Sequence, residues 1–422
     1  MEKIVLKDIH KYSNTITYDF SVSEGLSDFF TQKPFVIEYP ENIEDVPDAV
    51  AAVPFVCNVL PIIWLTDSVL SLNELDKAFF DCIPNVRKGY ETMFPESSFA
   101  GKIEVDNIVT CDVPTSSGSA SLFSGGVDAV NTLVHHLDEN PALISVWGSD
   151  IHFDNTAGWE RVHHGISEYS RKFNLPDVVI RSSFRAFDNE GVLNAQFHKQ
   201  LKDGWWHGVK HSLGLLGHVA PYAYLHRLST IYIASTNCPA DGPVRCASNP
   251  LTDNHVRFVN ARVVHDGFEF SRQDKVRNVV EYVQKTGEQL LLHVCWESQS
   301  GNNCCQCEKC YRTMVGLIAE GVDPTNYGFE HAQRTISNLQ KYLVWNCRSM
   351  AALQDYWPHI QKRIIEQRTK LKRHPDWKYI KWMLEVDFRN PESLKMPFNI
   401  RTWLSRFRFY QFLHKLKEKI YE

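Results

Sequence analysis

The sequence lacks any uninterrupted apolar run long enough to cross a membrane. Its longest, residues 49–65, is broken by Pro54, Asn58 and Pro61. A spanning helix needs ~20 apolar residues, and internal prolines remove helix hydrogen bonds, so this stretch is expected to be buried core. The first 20 residues carry charge throughout and no apolar signal-type segment, which leads us to expect a cytoplasmic protein with no membrane partner. No sign of charge dominates: 45 Lys and Arg stand against 50 Asp and Glu, a net −5. A global basic field that would attract nucleic acid is therefore absent. Internal repeats and low-complexity tracts are also missing. With 43% hydrophobic, 12% aromatic and 23% charged residues in a chain of 422, disordered, collagen-like and coiled-coil classes are excluded. Two or three globular domains are expected at this length.

Cysteine is what the sequence does have. There are eleven, an odd number, and five of them lie between Cys295 and Cys310. With no secretory segment, a disulfide framework is not expected, and the cluster points to a metal. Cys295, Cys304, Cys307 and Cys310 read C-x8-C-x2-C-x2-C. Four thiolates suit tetrahedral Zn²⁺, and four protein ligands leave no open position, so the ion is expected to be structural. An iron–sulfur cluster and a redox CxxC pair are the alternatives. Spacing alone does not choose between Cys304 and its neighbour Cys305.

Periodicity divides the chain into three regions. Residues 1–115 look α+β, with strand-like segments at 15–20 and 35–39. A helix is predicted over 73–93, with Leu75, Phe79, Phe80 and Val86 on one face. Residues 116–328 alternate between the two types. Strands are predicted at 120–123, 143–147, 178–181, 230–234, 257–264 and 290–294. Helices are predicted at 127–136, 157–173, 206–226 and, capped by Ser271, 272–285. Such alternation predicts a doubly wound, mostly parallel α/β sheet with helices on both faces, a Rossmann-like core. Residues 329–422 read as a helical extension. Residues 361–422 hold 16 Lys and Arg against 7 Asp and Glu, while the first 360 residues carry 29 against 43. The aromatics interleaved with this basic tail include Trp377, Tyr379, Trp382, Trp403, Phe407, Phe409, Tyr410 and Phe412. They are expected to form core and a partner surface in preference to a nucleic-acid site.

Ser124-Gly125-Gly126-Val127-Asp128-Ala129 follows a strand and opens a helix. Paired glycines allow a tight turn with exposed N–H groups, and the helix start adds positive potential; together they suit phosphate. The alternative is an ordinary strand-to-helix turn. The segment is not a Walker A loop, which ends Gly-Lys-Ser/Thr. It resembles the SGGxDS loop of the PP-loop ATP pyrophosphatases, with Ala129 in place of the final serine. That resemblance implies ATP cleavage between the α and β phosphates. Ser124 is expected to bond a phosphate oxygen, and Asp128 to orient the loop or help hold Mg²⁺. Asp150 and His152 follow the next strand and are expected near the nucleotide, with capping and loop roles as the alternative.

The pairing of this loop with C-x8-C-x2-C-x2-C resembles the 7-cyano-7-deazaguanine synthase family (QueC). Arg312 and the run Gly321-Val322-Asp323-Pro324-Thr325-Asn326-Tyr327 extend the match. The resemblance covers residues 118–328. It departs at Cys305, where the family usually has glycine, at 203–208 and at 243–253, which border the substrate pocket in the family. The added length on both sides looks like the QueC-like proteins of bacterial antiphage operons (Qat and type IV CBASS). The resemblance implies adenylation of a 7-carboxy-7-deazaguanine, then attack by an amine. A partner protein's N-terminus would give a deazaguanine–protein amide. Ammonia would instead lead to 7-cyano-7-deazaguanine, and a nucleotide-binding scaffold without turnover is the non-enzyme alternative. The length outside the matched region points toward a protein acceptor; a homo-oligomer is a further expectation.

Arg312 is read either as a phosphate or carboxylate contact or as a cap on the metal loop. His207 and Lys210, one helical turn apart, face either the pocket or the surface. Ser235, Thr236 and Asp253 are candidates for the substrate pocket, with loop hydrogen bonding as the alternative.

Overall fold

Side-chain alternation sets the centre of the molecule. In the segment Ala142–Trp147, Ile144 and Val146 enter one core while Leu143 enters a second. A strand buried on both faces in this way belongs in the middle of a doubly covered sheet. The computed structural model describes residues 2–394 except 112, 115–116, 296, 299–300 and 348–350. The basic, aromatic tail beyond 394, with Trp403, Phe407, Phe409, Tyr410 and Phe412, lies outside the described residues.

The strands are β1 (Lys3–Tyr12), β2 (Thr15–Val22), β3 (Val36–Glu38), β4 (Val69–Asp76), β5 (Lys102–Val109), β6 (Gly118–Leu122), β7 (Ala142–Trp147), β8 (Asp177–Ser182), β9 (Leu228–Ala234), β10 (Arg257–Phe258) and β11 (Ala261–Asp266). All join one sheet, in the order β10-β11-β9-β6-β7-β8-β3-β2-β1-β4-β5. The run β11-β9-β6-β7-β8 is parallel throughout. This is the α/β, Rossmann-like core expected from the sequence. From β6 the chain moves outward to β7 and β8, then returns to place β9 on the other side of β6. The strand order thus reverses between β6 and β9, and ligands bind at such switch points, beyond the carboxyl ends of the strands.

Residues 1–115 continue the same sheet. β3 pairs with β8 through Ile37–Ser182 and Glu38–Arg181. One core runs from Ile4 to Val263. It packs the helices Val53–Thr66, Lys77–Met93 and Glu190–Leu201 against one face of the sheet. The opposite core holds the helices Val127–His135, Thr156–Phe173, Arg272–Thr286 and Glu308–Ala319, together with the helical segments of the C-terminal region as far as Leu394. Among the described residues no helix is long and apolar enough to cross a membrane.

One local expectation holds in an unforeseen form, and two change. The proline-broken apolar run is buried core as expected, but it forms a helix, Val53–Thr66, in which every residue from Val53 to Trp64 is buried although Pro61 lies inside it. Tertiary packing outweighs the lost hydrogen bond, and the buried Asn58 donates Nδ2 to the Pro54 carbonyl at 2.9 Å. Leu75 belongs to β4 and not to a helix. Parallel pairing with β5 carries the strand to Asp76, whose carboxylate then accepts the Phe79 N–H at 3.0 Å and caps the helix Lys77–Met93. Residues 290–294 form no strand. The Leu292 N–H donates to the Tyr327 carbonyl and the His293 N–H to the Gly125 carbonyl, so this segment is tied to loops above the sheet.

Candidate nucleotide and metal sites

The loop after β6 turns over the carboxyl end of the sheet. Gly125 sits at φ 72°, in the left-handed region that favours glycine. Its carbonyl is fixed by the His293 N–H at 2.8 Å. Gly126 begins the helix Val127–His135 with no side-chain cap, so the first-turn N–H groups face the crevice without a side-chain acceptor. Gly148, just past β7, stands at φ 121°, and a Cβ there would lie 1.9 Å from the Ser182 carbonyl oxygen. That close approach lets the chain turn away beside β8.

A cavity of about 220 Å³ opens at the switch point. Ser124, Gly126, Asp128, Asp150 and Thr236 line it, as do His211, Arg272, His293 and Lys309. Asp128 is the organising carboxylate. It accepts hydrogen bonds from Arg272 Nη1 and, at 3.3 Å, from Thr236 Oγ1, and Lys275 Nζ lies 3.9 Å away. Burial would raise its pKa, yet the fields of Arg272, Lys275, Lys309 and Arg312 hold the carboxyl below the usual value. Those four cations are the main electrostatic fact of the site. Arg272, Lys275 and Arg312 are buried. Lys275 is anchored on the Ser235 carbonyl at 2.5 Å. Arg312 stacks on Tyr356 at 4.0 Å and lies 3.6 Å from Glu308.

Several buried polar atoms here lack a hydrogen-bond partner among the described residues: Nε and Nη2 of Arg272, Nε and Nη1 of Arg312, and Nε2 of His293. Leaving such donors unpaired costs about 1–3 kcal/mol each, more when charged, and buried donors are normally satisfied. Arg272 and His293 line the cavity, and Arg312 acts on the same Asp128 carboxylate. Burial and the neighbouring cations also lower the pKa of Lys309 and Lys275. An anion in the crevice would relieve that strain. His211 also lines the cavity, and burial pushes its pKa down to about 4, so the ring is neutral near pH 7.

The second site stands beside the first, since Cys295 also lines the cavity. The Sγ atoms of Cys295, Cys304, Cys307 and Cys310 all lie within 4.8 Å of one another. Two separations, Cys295–Cys307 and Cys304–Cys310, are 3.9 Å. Four thiolates at ~2.3 Å from a tetrahedral ion stand ~3.8 Å apart, so the arrangement fits zinc. Backbone N–H groups of Gln306 and Cys307 point at Cys304 Sγ, and that of Cys310 at Cys307 Sγ, at 3.3–3.4 Å. These bonds orient the sulfurs and favour thiolate charge. Cys305 is excluded: at φ 57° its chain turns, and its thiol donates to the Asn303 carbonyl at 3.6 Å. The cluster can therefore hold a metal such as zinc, with Cys304 as the ligand.

The other sequence candidates scatter. Val127 is buried in the second core and serves the loop only through its backbone. Lys210 is fully buried, donating to Asp188 at 2.6 Å and to the Phe184 carbonyl at 2.7 Å. Asp253 is buried among Ser212, Ser248 and His265. His207 pairs with Asp203 at 2.5 Å, which raises its pKa to about 10. Ser235 donates to the Asn237 carbonyl. His152 is exposed beside Asp154. Of the five substrate candidates, Thr236 alone lines the cavity.

Arg272, Lys275, Lys309, His211 and His293 are the site residues that sequence reasoning missed. A signal existed for three of them. Arg272 directly follows the Ser271 cap with Lys275 three residues on, and Lys309 stands inside the metal motif three residues before Arg312. The chain matches no protein-family model, no curated protein and no solved structure.

Proposed function

We propose that this protein is an ATP-dependent C–N ligase of the QueC-like PP-loop class. It would adenylate the carboxylate of a 7-carboxy-7-deazaguanine-type substrate and pass the acyl group to an amine, with a partner protein's N-terminus as the acceptor, in antiviral defence. The observation that carries this reading is the set of unpaired, buried cationic donors around Asp128 at the sheet's switch point, beside an uncapped helix start.

In this reading the α phosphorus of ATP is attacked by the substrate carboxylate and pyrophosphate leaves. The N–H groups of the Gly125–Gly126 turn receive it, and Arg272, Lys309 and Arg312 neutralise the charge that develops. Asp128 holds Arg272 and Thr236 in place, so it is a positioning residue as much as an electrostatic one. Asp150 and the unbonded Oδ1 of Asp128 are the oxygen donors that would hold Mg²⁺, which when bound spreads the charge of the leaving pyrophosphate. The acyl adenylate is then open to a neutral amine, and AMP leaves as the amide forms. His211, which lines the cavity and is kept neutral by burial, is placed to accept the proton that the amine releases. The thiolate site holds the start of the helix Glu308–Ala319 that carries Lys309 and Arg312, and a zinc ion there would be structural.

ATP–pyrophosphate exchange tests the first half. Purified protein with Mg²⁺ and 7-carboxy-7-deazaguanine should catalyse exchange, and Asp128→Asn should abolish it. No exchange with wild-type protein would remove the adenylation reading. Intact-mass spectrometry of co-expressed candidate partners tests the second half: an added deazaguanine acyl mass supports a protein acceptor, and nitrile formation from ammonia alone refutes it.

A further inference from the structure

A second group of metal-ligating side chains lies apart from the four thiols. Cys238, Asp241 and His359 offer a sulfur, a carboxylate oxygen and a ring nitrogen within 4.8 Å of one another. His359 stands 118 residues from Asp241 in sequence. Cys238 and Asp241 belong to the turn after β9, and His359 to the helix Trp357–Glu366. We infer that Cys238, Asp241 and His359 form a second binding site for a divalent transition-metal ion, zinc foremost, which fastens the C-terminal helical region to the wall of the nucleotide cavity.

Four observations carry this. The donor set mixes thiolate, carboxylate and imidazole, which is zinc chemistry; three protein ligands leave a fourth position for water. The spacing fits: Asp241 Oδ1 lies 3.0 Å from His359 Nε2, and nitrogen and oxygen at ~2.0 Å from a tetrahedral ion stand ~3.3 Å apart. The sulfur is prepared as in the first site. The Asp241 N–H points at Cys238 Sγ, as the Cys310 N–H points at Cys307 Sγ. The Cys238 N–H in turn donates to Asp241 Oδ2 at 2.7 Å, which leaves Oδ1 for the ion. Finally, the surroundings are fixed. The Asp241 side chain is 2% exposed, and Tyr356 donates to Asn237 Oδ1 at 2.9 Å next to the group.

The location gives the ion a consequence. Cys238 follows Thr236 and Asn237, and Thr236 lines the cavity. Tyr356, three residues before His359, is the platform for Arg312. An ion between these elements fixes the distance from Thr236 to the Arg312 platform, so loss of the ion should loosen the anion site without emptying the thiolate site. Metal binding displaces the Cys238 proton and the His359–Asp241 hydrogen bond, and no electron transfer is involved.

The test is metal stoichiometry on the full chain. Protein loaded with Zn²⁺ and gel-filtered in metal-free buffer should hold two ions by plasma mass spectrometry, and His359→Gln and Cys238→Ser should each hold one. Cobalt titration gives an independent reading. The four-thiolate site should fill with intense thiolate absorption, followed by a weaker one-thiolate phase that is absent in His359→Gln. His359 is partly exposed, so its variant keeps the test usable should Cys238→Ser fail to fold. One ion per wild-type chain, or two ions retained in His359→Gln, overturns the proposal, and a plain His–Asp ion pair is then the role of these residues.

Discussion

Lys210→Met is the most informative single perturbation, because it separates a structural lysine from a substrate contact. The Lys210 and Asp188 side chains are both 0% exposed and 2.6 Å apart. Lys210 also satisfies the Phe184 carbonyl, and Asp188 Oδ1 has no hydrogen-bond partner. Removing the ammonium strands a carboxylate in the core, and breaking a buried pair on one side costs about 3–5 kcal/mol. The loss should depend on pH. Burial already pushes the Asp188 carboxyl up to about 6, with Lys210 the largest opposing influence. In the unfolded chain it titrates near ~3.9. A carboxyl raised by folding binds more protons in the native state, so its contribution to stability falls as pH rises from the unfolded value to the folded one. Without Lys210 the folded pKa climbs further. Above pH ~6 the variant's native state therefore still holds a proton that the wild type has released. The stability gap should widen by about 1.4 kcal/mol per pH unit until the variant's own folded pKa is passed. Urea unfolding of both proteins at pH 6, 7 and 8 measures this. Asp188→Leu with Lys210→Met removes both charges and should recover most of the loss, leaving about 1–3 kcal/mol for the Phe184 carbonyl. A gap that does not vary with pH, or a double variant no better than the single one, would refute the reasoning.

Cys307→Ser removes one of the four thiolates and the acceptor of the Cys310 N–H. It should lose the bound metal and lower the melting temperature, whereas Cys305→Ser should keep the metal by mass spectrometry. Gly125→Ala has room, with its Cβ 3.5 Å from His293 Cβ, but must hold φ 72°. It should cost about 1 kcal/mol of stability by denaturant titration and weaken nucleotide binding more strongly by calorimetry. Gly148→Ala meets a backbone oxygen at 1.9 Å; such overpacking costs more than ~3 kcal/mol and should show as loss of soluble protein.

What the sequence revealed followed from local patterns. Alternation exposed the parallel run β9-β6-β7-β8 because each of its strands is short, apolar and followed by a helix, but it left β1, β4 and β5 unread. The thiol cluster was legible because all four ligands fall within sixteen residues. The cation cluster was not legible, because Arg272 and Lys275 come from one helix and Lys309 and Arg312 from another. Their convergence is a product of how the two helices pack, which spacing within either cannot show. Lys210 misled for the opposite reason. A lysine one turn from a histidine looks like a pocket face, and only tertiary structure brings Asp188 to it. The strand predicted at 290–294 failed because apolar content does not distinguish a ladder from an extended segment tied to loops.

The extra length of the chain changes meaning once the sheet is known. Residues on either side of 118–328 turned the sequence reading toward a protein acceptor, yet the first 110 are built into the core. Phe35 stacks on Phe187 at 4.4 Å, Tyr39 donates to the His218 carbonyl at 3.0 Å, and Tyr90 donates to the Val209 carbonyl at 2.9 Å. The helix Val53–Thr66 meets the helix His211–Gly217 so closely that a Cβ on Gly217 would lie 2.6 Å from Cys57 Cβ. Deleting residues 2–110 would strip β8 of its β3 neighbour and uncover Phe184, Phe187, Leu213, Leu216 and Val219, all buried in that core. At about 1.5–3 kcal/mol for each apolar side chain, these five alone lose on the order of 10 kcal/mol, comparable with the whole stability of a typical domain. The truncated chain should therefore be insoluble, while full-length protein unfolds cooperatively. A soluble fragment starting near residue 116 with a cooperative melt would show that the N-terminal strands are an appendage after all, and would return length to the argument for a protein acceptor.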